Sequence, residues 1–435
     1  MNILDIIIKK RDGLELTNSE VEFFVREYMN NNIADYQASA LLMAIFLMGF
    51  SDEEIGALTF AMLNSGKRLD LSDIKGIKVD KHSTGGVGDK TTFTVLPIAA
   101  ACGVKIAKMS GRGLGFTGGT IDKLESIPGF RTSLNEKVFK KQISDIDFAI
   151  TSQTEDIAVA DKKLYSLRDV TGTVESLGLI ASSIMSKKLA LGSDAIVLDV
   201  KVGEGAFMHE LSDAEKLAKL MCSLGEREGK NTVALLTGMD EPLGFSVGNS
   251  IEVIEAIEFL KGRDIPDLHE ISIAVSGMMI FAGGMAKSFE EGKEKATDAL
   301  ESGKAIRKLE ELFERQGADT EIINDTSKFK KARLKYEVKS DTAGFITKLS
   351  AMKIGEASQR SGAGRLRKED EIDHSAGVLL RKKVGDMVTE GEVLAEVFSN
   401  DETKLEEASV LCKRAFEIKA ESKCKTGKIL EIING

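Results

Sequence analysis

Two short glycine-rich stretches, each set between a strand pattern and a helix pattern, constrain this chain more than any other feature. The first is Lys81-His82-Ser83-Thr84-Gly85-Gly86-Val87-Gly88-Asp89-Lys90. The second runs from Lys108-Met109-Ser110-Gly111-Arg112-Gly113 to Thr117-Gly118-Gly119-Thr120-Ile121-Asp122. Residues 77–79 read as a short strand and 92–101 as an apolar helix, so the first stretch presents the unpaired N–H groups of a helix start. Residues 104–107 form a second strand pattern, which delivers the second stretch to the same edge of a parallel sheet, where ligands of open α/β sheets collect. Glycines let the backbone approach closely, while Ser83, Thr84, Thr91, Thr92 and the flanking lysines suit an oxyanion. Neither stretch is a nucleotide loop of the common kinds. Asp89 separates Gly88 from Lys90 where a P-loop needs Gly-Lys, and no G-x-G-x-x-G with a distal acid is present.

The rest of the 435 residues supports a scaffold of two or three units. Residues 1–69 read as helical: Thr17 to Glu20 and Ser51 to Glu54 have capping-box spacing, and Val21, Phe24, Val25 and Tyr28 recur at helical intervals. The apolar run 38–48 suits a helix packed between others or at a subunit contact. From about residue 70, short apolar runs at 77–79, 104–107, 148–150, 195–202 and 233–236 alternate with helices, the signature of a largely parallel sheet. Two helix patterns at 162–191 interrupt that alternation. Beyond a polar linker near 324–327, residues 377–394 alternate like a small β-barrel, giving a C-terminal α+β unit over 326–435.

A net charge of −10 and a pI near 5.3 speak against nucleic-acid or membrane-surface binding. The longest apolar run is shorter than the roughly 20 residues a bilayer requires, and Asp5 interrupts the N-terminal apolar residues, unlike a signal peptide. Cys102, Cys222, Cys412 and Cys424 lack metal-ligand spacing and read as reduced thiols, which points to the cytoplasm.

The interrupting helices carry a second set of candidate site residues. Asp161, Tyr165 and Arg168 share one face at i, i+4, i+7, and so do Ile180, Ser183, Ile184 and Lys187. Isoleucines mixed with Ser and Lys suit a flat heterocycle, gripped on its plane by apolar groups and at its edge by polar ones. Residues 239–249, dense in Pro and Gly after a strand pattern, read as a shaped loop.

The stretch Ser110-Gly111-Arg112-Gly113-Leu114-Gly115-Phe116-Thr117-Gly118-Gly119-Thr120-Ile121-Asp122-Lys123-Leu124-Glu125 resembles the signature of the thymidine and pyrimidine-nucleoside phosphorylases, with Lys81 to Gly86 as their first phosphate loop. The likeness extends over essentially the whole chain. It implies a small α-helical unit of residues 1–69 to which 162–191 return, an α/β phosphate-binding unit of 70–161 and 192–325, the C-terminal unit, and a homodimer through the helices. It implies reversible phosphorolysis of uridine, thymidine and deoxyuridine, with inorganic phosphate as co-substrate. Phosphate would be held by Lys81, His82, Ser83, Thr92, Lys108, Met109, Ser110 and Thr120. The base edge would meet Arg168, Ser183 and Lys187, beside Tyr165, Ile180 and Ile184 of the same helix faces, with Arg168 and Lys187 catalytic and His82 either a catalytic donor to the base or an anchor of its loop. The resemblance also implies a potassium ion bound at Gly88, Lys90, Leu243, Ser246 and Glu255, provided the Lys90 charge points away.

Three other readings compete. A thymidine-only phosphorylase shares every residue named above. Anthranilate phosphoribosyltransferase has a similar fold and glycine loop, but not the Ser110 to Glu125 signature. A biotin or lipoyl carrier is suggested by Ala351-Met352-Lys353-Ile354, although that segment precedes the Gly385-Asp386-Met387-Val388 half instead of following it.

Overall fold

The computed structural model describes every residue except 114, 155, 368, 423–426 and 435, so Leu114 of the signature and Cys424 lie outside the described residues. Four helices open the chain: α1 (Ile3–Arg11), α2 (Asn18–Met29), α3 (Asp35–Met48) and α4 (Asp52–Leu63). Both capping boxes form, with Thr17 and Ser51 each accepting from the third residue on while Glu20 and Glu54 return the bond. Glu54 is also buried against Lys10 at 2.8 Å, which ties α4 to α1. On α3, Leu41, Leu42 and Ile45 are buried while Tyr36, Leu47 and Met48 are exposed, so the apolar helix covers only part of itself.

The α/β region follows in the order β1 (Lys78–Ser83), α5 (Thr91–Ala101), β2 (Lys105–Ser110), α6 (Thr120–Glu125), α7 (Glu136–Ile146), β3 (Phe148–Ser152), α8 (Val159–Asp169), α9 (Leu177–Ala190), β4 (Ala195–Val202), α10 (Leu211–Arg227), β5 (Asn231–Gly238), β6 (Ser246–Gly248), α11 (Ser250–Leu260) and α12 (Pro266–Ala282). Helices α13 (Phe289–Glu301), α14 (Lys304–Arg315) and α15 (Glu321–Asn324) complete it. The C-terminal part holds β7 (Leu334–Lys339), β8 (Gly344–Leu349), α16 (Ala351–Ser358), β9 (Gly377–Leu380), β10 (Met387–Val388), β11 (Val393–Ser399), α17 (Glu402–Lys413), β12 (Phe416–Lys419) and β13 (Ile429–Asn434).

The central sheet runs β13-β5-β4-β1-β2-β3, and β1 to β5 pair in parallel. Helices cover both faces, so all eight residues of β4 are buried, as a continuous apolar strand requires. Chain order moves from β1 outward through β2 to β3, then jumps to the other side of β1 with β4. That reversal opens a crevice at the C-terminal ends of β1 and β4, where Ser83 pairs with Asp199.

Two connections differ from the sequence expectation. The last strand, β13, leaves the C-terminal region and pairs antiparallel with β5, closing the central sheet on that edge. In the other direction, β6 pairs with β9 and joins the C-terminal sheet β6-β9-β11-β7. The C-terminal part is thus sewn to the α/β region at both ends. Helices α8 and α9 pack toward the N-terminal helices, with Thr59 of α4 donating to Ser182 of α9 at 3.0 Å. Lys353 stands on α16 and donates to the Arg414 carbonyl at 3.1 Å, a helical setting foreign to the hairpin acceptor of a carrier domain.

Candidate active site

Both glycine stretches and the faces of α8 and α9 line one cavity of ≈ 320 Å³. The β1 strand runs on to Ser83, longer than its apolar run suggests, so side chains from both of its faces reach the cavity. His82 does, together with Ser83, Thr92, Lys108, Met109, Ser110 and Thr120. Lys81 does not. It is fully buried, donating to Thr91 Oγ1 at 2.6 Å and lying 3.4 Å from Asp199. Its charge nonetheless acts on His82 and Lys108 beside the cavity.

The turns are shaped by close approach. Gly88 has φ +72°, and a Cβ there would come within 2.6 Å of the Leu243 carbonyl. A Cβ on Gly119 would lie 2.0 Å from the Gly113 amide. Asp89 fixes the first turn, accepting from Ser83 Oγ and Thr91 Oγ1, each at 2.5 Å. In the second, Asp122 accepts from the Gly113 amide at 2.7 Å and from Arg112 at 3.0 Å, while Arg112 also grips Glu125. Asp122 and Glu125 therefore hold the loop, and Arg112, paired with both, also lines the cavity.

Two buried polar atoms at the cavity, His82 Nε2 and Ser110 Oγ, have no hydrogen-bond partner among the described residues. Native interiors satisfy nearly all such atoms, so an unsatisfied pair on one wall marks a place for a ligand. Lysines surround them. Burial, then the charges of Lys188, Lys108, Lys81 and Lys187, hold the His82 imidazole neutral, well below its ordinary range. Burial and Lys188 likewise press the Lys108 ammonium well below its usual value, against the opposing pull of Asp80. Lys108 donates to the Met109 carbonyl at 3.1 Å, whereas Lys188 is paired with Asp80 at 2.8 Å.

The opposite wall comes from α8 and α9. Lys187 is held by Asp161 at 2.5 Å and by Ser183 Oγ at 2.9 Å, which aims its ammonium along the cavity. Arg168 is almost wholly buried, and its three nitrogens donate to the carbonyls of Thr173, Val174 and Leu179 at 3.1, 2.7 and 3.0 Å. It braces the α8–α9 turn as well as lining the cavity. The Tyr165 ring stacks 5.7 Å from that guanidinium, and Ile180 and Ile184 supply apolar surface beside it.

Comparison with known proteins agrees with this geometry. Residues 75–306 match the "Glycosyl transferase family, a/b domain", residues 4–66 its "helical bundle domain", and 345–419 the "Pyrimidine nucleoside phosphorylase C-terminal domain". The pyrimidine-nucleoside phosphorylase of Staphylococcus haemolyticus is 52% identical over 402 residues, covering 92% of this chain and 93% of the relative. That of Bacillus subtilis is 48% identical over 433 residues, covering 100% and 99%. The chain belongs to the pyrimidine-nucleoside phosphorylase family. A solved anthranilate phosphoribosyltransferase from Thermus thermophilus shares the fold, with TM-score 0.57 and 21% identity over 71% of this chain and 98% of that one.

Within this phosphorylase, the five residues expected around a potassium ion do converge, but on a lysine. The Lys90 side chain turns inward, with Nζ donating to the Gly88 and Leu243 carbonyls at 2.7 and 2.6 Å and pairing with Glu255 at 3.0 Å. Glu255 is further engaged by the Phe245 and Ser246 amides. The expectation that the Lys90 charge points away is overturned. A second unit charge within about 4 Å of that ammonium would cost about 4 kcal/mol even at an effective dielectric near 20, so the set does not fit an added cation.

The sequence reading missed several cavity residues. Lys188 is the main one: next to Lys187 but about 100° round the helix, it reaches under the sheet to Asp80. Phe207 and Met208, in the loop after β4, and Gln153, after β3, also line the cavity. Their position at the C-terminal ends of parallel strands was the available signal. Among the described residues, no helix is long and apolar enough to cross a membrane.

Proposed function

We propose that the chain catalyses reversible phosphorolysis of pyrimidine nucleosides, with inorganic phosphate held between the two glycine turns and the base against α8 and α9. The observation that carries this reading is the pair of unpartnered atoms, His82 Nε2 and Ser110 Oγ, set among lysines on one wall and facing an apolar and polar wall on the other. Ser83, Thr92, Lys108, Met109, Ser110 and Thr120 surround the phosphate, and Lys188 adds charge from beneath. Lys81, held by Thr91 and beside Asp199, adds its charge from behind the first turn.

In the reaction a phosphate oxygen forms the new bond to the anomeric carbon as the carbon–nitrogen bond breaks, with inversion. The electron pair of that bond passes to the base, and the proton of monohydrogen phosphate ends on it. Positive charge on the sugar is met by the phosphate, and negative charge on the base by Lys187 and the Arg168 guanidinium. His82, neutral when no anion is bound, offers an N–H to phosphate or to the base. Because the two walls stand on different segments, turnover requires them to close on both reactants.

The isoleucines accept a 5-methyl without demanding one, which supports uridine, deoxyuridine and thymidine all as substrates. The decisive assay is release of uracil from uridine. Release that requires phosphate supports the reading, and none with phosphate, or equal release without it, refutes it. Initial rates on the three nucleosides then separate broad from thymidine-only activity. Exposed Leu4, Tyr36, Phe46, Leu47 and Met48 on α1 and α3 support a homodimer, which sedimentation tests. A cytoplasmic setting is favoured by Cys222 and Cys412, thiols buried as packing groups and pushed up to about 12 by burial.

A further inference from the structure

We propose that the Lys90 ammonium is this protein's built-in monovalent cation: it occupies the seat formed by the Gly88 and Leu243 carbonyls and Glu255, so that no potassium ion is bound or needed there. An ammonium group has three N–H donors, and Lys90 has three oxygens to receive them, at 2.7, 2.6 and 3.0 Å. Ammonium and potassium ions are nearly equal in size, so carbonyls spaced for one suit the other. The side chain has no exposed surface.

The surroundings are built to this ammonium. A Cβ on Gly244 would lie 3.1 Å from Lys90 Nζ and one on Gly88 3.3 Å from it, so two glycines at positive φ leave room for the lysine head. The same 240s loop is met by two more lysines. Lys383 donates to the carbonyls of Pro242 and Gly244 and pairs with Asp267 at 3.0 Å, and Lys428 pairs with Glu241 at 3.2 Å. Lys90, Lys383 and Lys428 therefore balance Glu255, Asp267 and Glu241 one for one. A bound potassium ion would add an unmatched positive charge and would have to displace the ammonium from both carbonyls.

The seat has a mechanical role. Lys90 joins the first glycine turn to the loop before β6 and to Glu255 on α11, and β6 in turn pairs with β9. Its neighbour Asp89 holds Ser83 and Thr91 at the cavity. Lys90 is thus a positioning residue for the phosphate side of the site.

Three measurements test this, and two need no turnover, so they stand or fall separately from the proposed reaction. Wild-type protein exchanged into N-methylglucamine chloride is titrated with potassium chloride at constant ionic strength. Tm should stay within about 1 °C and phosphorolysis within about 1.5-fold, since an ion that does not bind cannot stabilise. A saturable, potassium-specific rise in either overturns the proposal. Wild-type crystals soaked in rubidium chloride should show no anomalous density against the Gly88 and Leu243 carbonyls, and a peak there overturns it too. Lys90→Ser empties the seat. Its Tm should fall by several degrees and be regained in part with potassium or rubidium but not N-methylglucamine, and a folded variant indifferent to potassium refutes the cation-seat reading. Should that variant not fold, the two wild-type measurements decide.

Discussion

Two groups of buried lysines stand within one loop's length of each other and are treated in opposite ways. Around the 240s loop and α6, Lys90, Lys123 and Lys383 each have a carboxylate at 3.0 Å: Glu255, Glu252 and Asp267. Around the cavity, Lys187 and Lys188 have Asp161 and Asp80, but among the described residues no carboxylate is paired with Lys108, and Lys81 shares Asp199 with Lys201. Counting Asp89 as well, five lysines meet four carboxylates there. The first group staples the scaffold. The second is left short of negative charge, beside atoms left short of hydrogen-bond partners, and the phosphate of the proposed reaction would supply both.

If this distinction is right, removing a cavity lysine should cost activity while removing a stapling lysine should cost stability. The largest effect is expected for Lys108→Met. Loss of one preorganised cation at the phosphate should lower kcat/KM for phosphorolysis about 10³-fold, near 4 kcal/mol. Stability should rise by about 1 kcal/mol, because an uncompensated buried charge has been removed. Steady-state kinetics with urea unfolding of the same preparation reads both. A variant that is destabilised yet fully active would erase the contrast.

Next in size is Lys123→Met, which leaves Glu252 buried and unpaired, both side chains being almost fully enclosed. A loss of about 3 kcal/mol in unfolding free energy is expected. Adding Glu252→Gln should recover part of it, since the charge is removed while the bond from the Gly248 amide can persist. The folded fraction should keep kcat/KM within about tenfold. An unchanged urea midpoint would mean that these pairs do not staple anything.

How much of this was readable beforehand depends on the kind of signal. Glycine turns, capping boxes and the i, i+4, i+7 faces of α8 and α9 are local patterns, and the structure brings Arg168, Ser183 and Lys187 to one cavity with His82 and Ser110. Facing direction is harder. His82 and Ser83 are adjacent on β1 and both meet the cavity, while Lys81 beside them turns to Thr91, so strand alternation alone does not tell which side chains line it. Lys188 was hidden because its partner, Asp80, is 108 residues distant. The Lys90 seat depends on Leu243, which lies 153 residues away. The return of β13 to β5 is likewise a long-range pairing that no local pattern announces. Which oxygens surround an ammonium is a tertiary fact.

The smallest expected effect is the sharpest probe of the cavity. His82 is kept below its ordinary range, so in the folded protein it refuses a proton that the unfolded chain accepts near pH 6.5. Stability should therefore fall as pH drops below about 6.5, by at most about 1.4 kcal/mol per pH unit for this group. His374, also lowered chiefly by burial, adds a term of the same sign, so the slope alone does not isolate His82. An anion in the cavity should. Sulfate keeps its double charge throughout this range, unlike phosphate, and seated beside His82 it would favour the imidazolium. The Tm increment from sulfate should then grow between pH 7 and pH 5 in the wild type and stay flat in His82→Asn, whose lysines remain. An increment equally flat in both would mean that the imidazole does not face the anion and only anchors the first glycine turn, leaving Lys108, Lys188 and the loop amides to hold the phosphate.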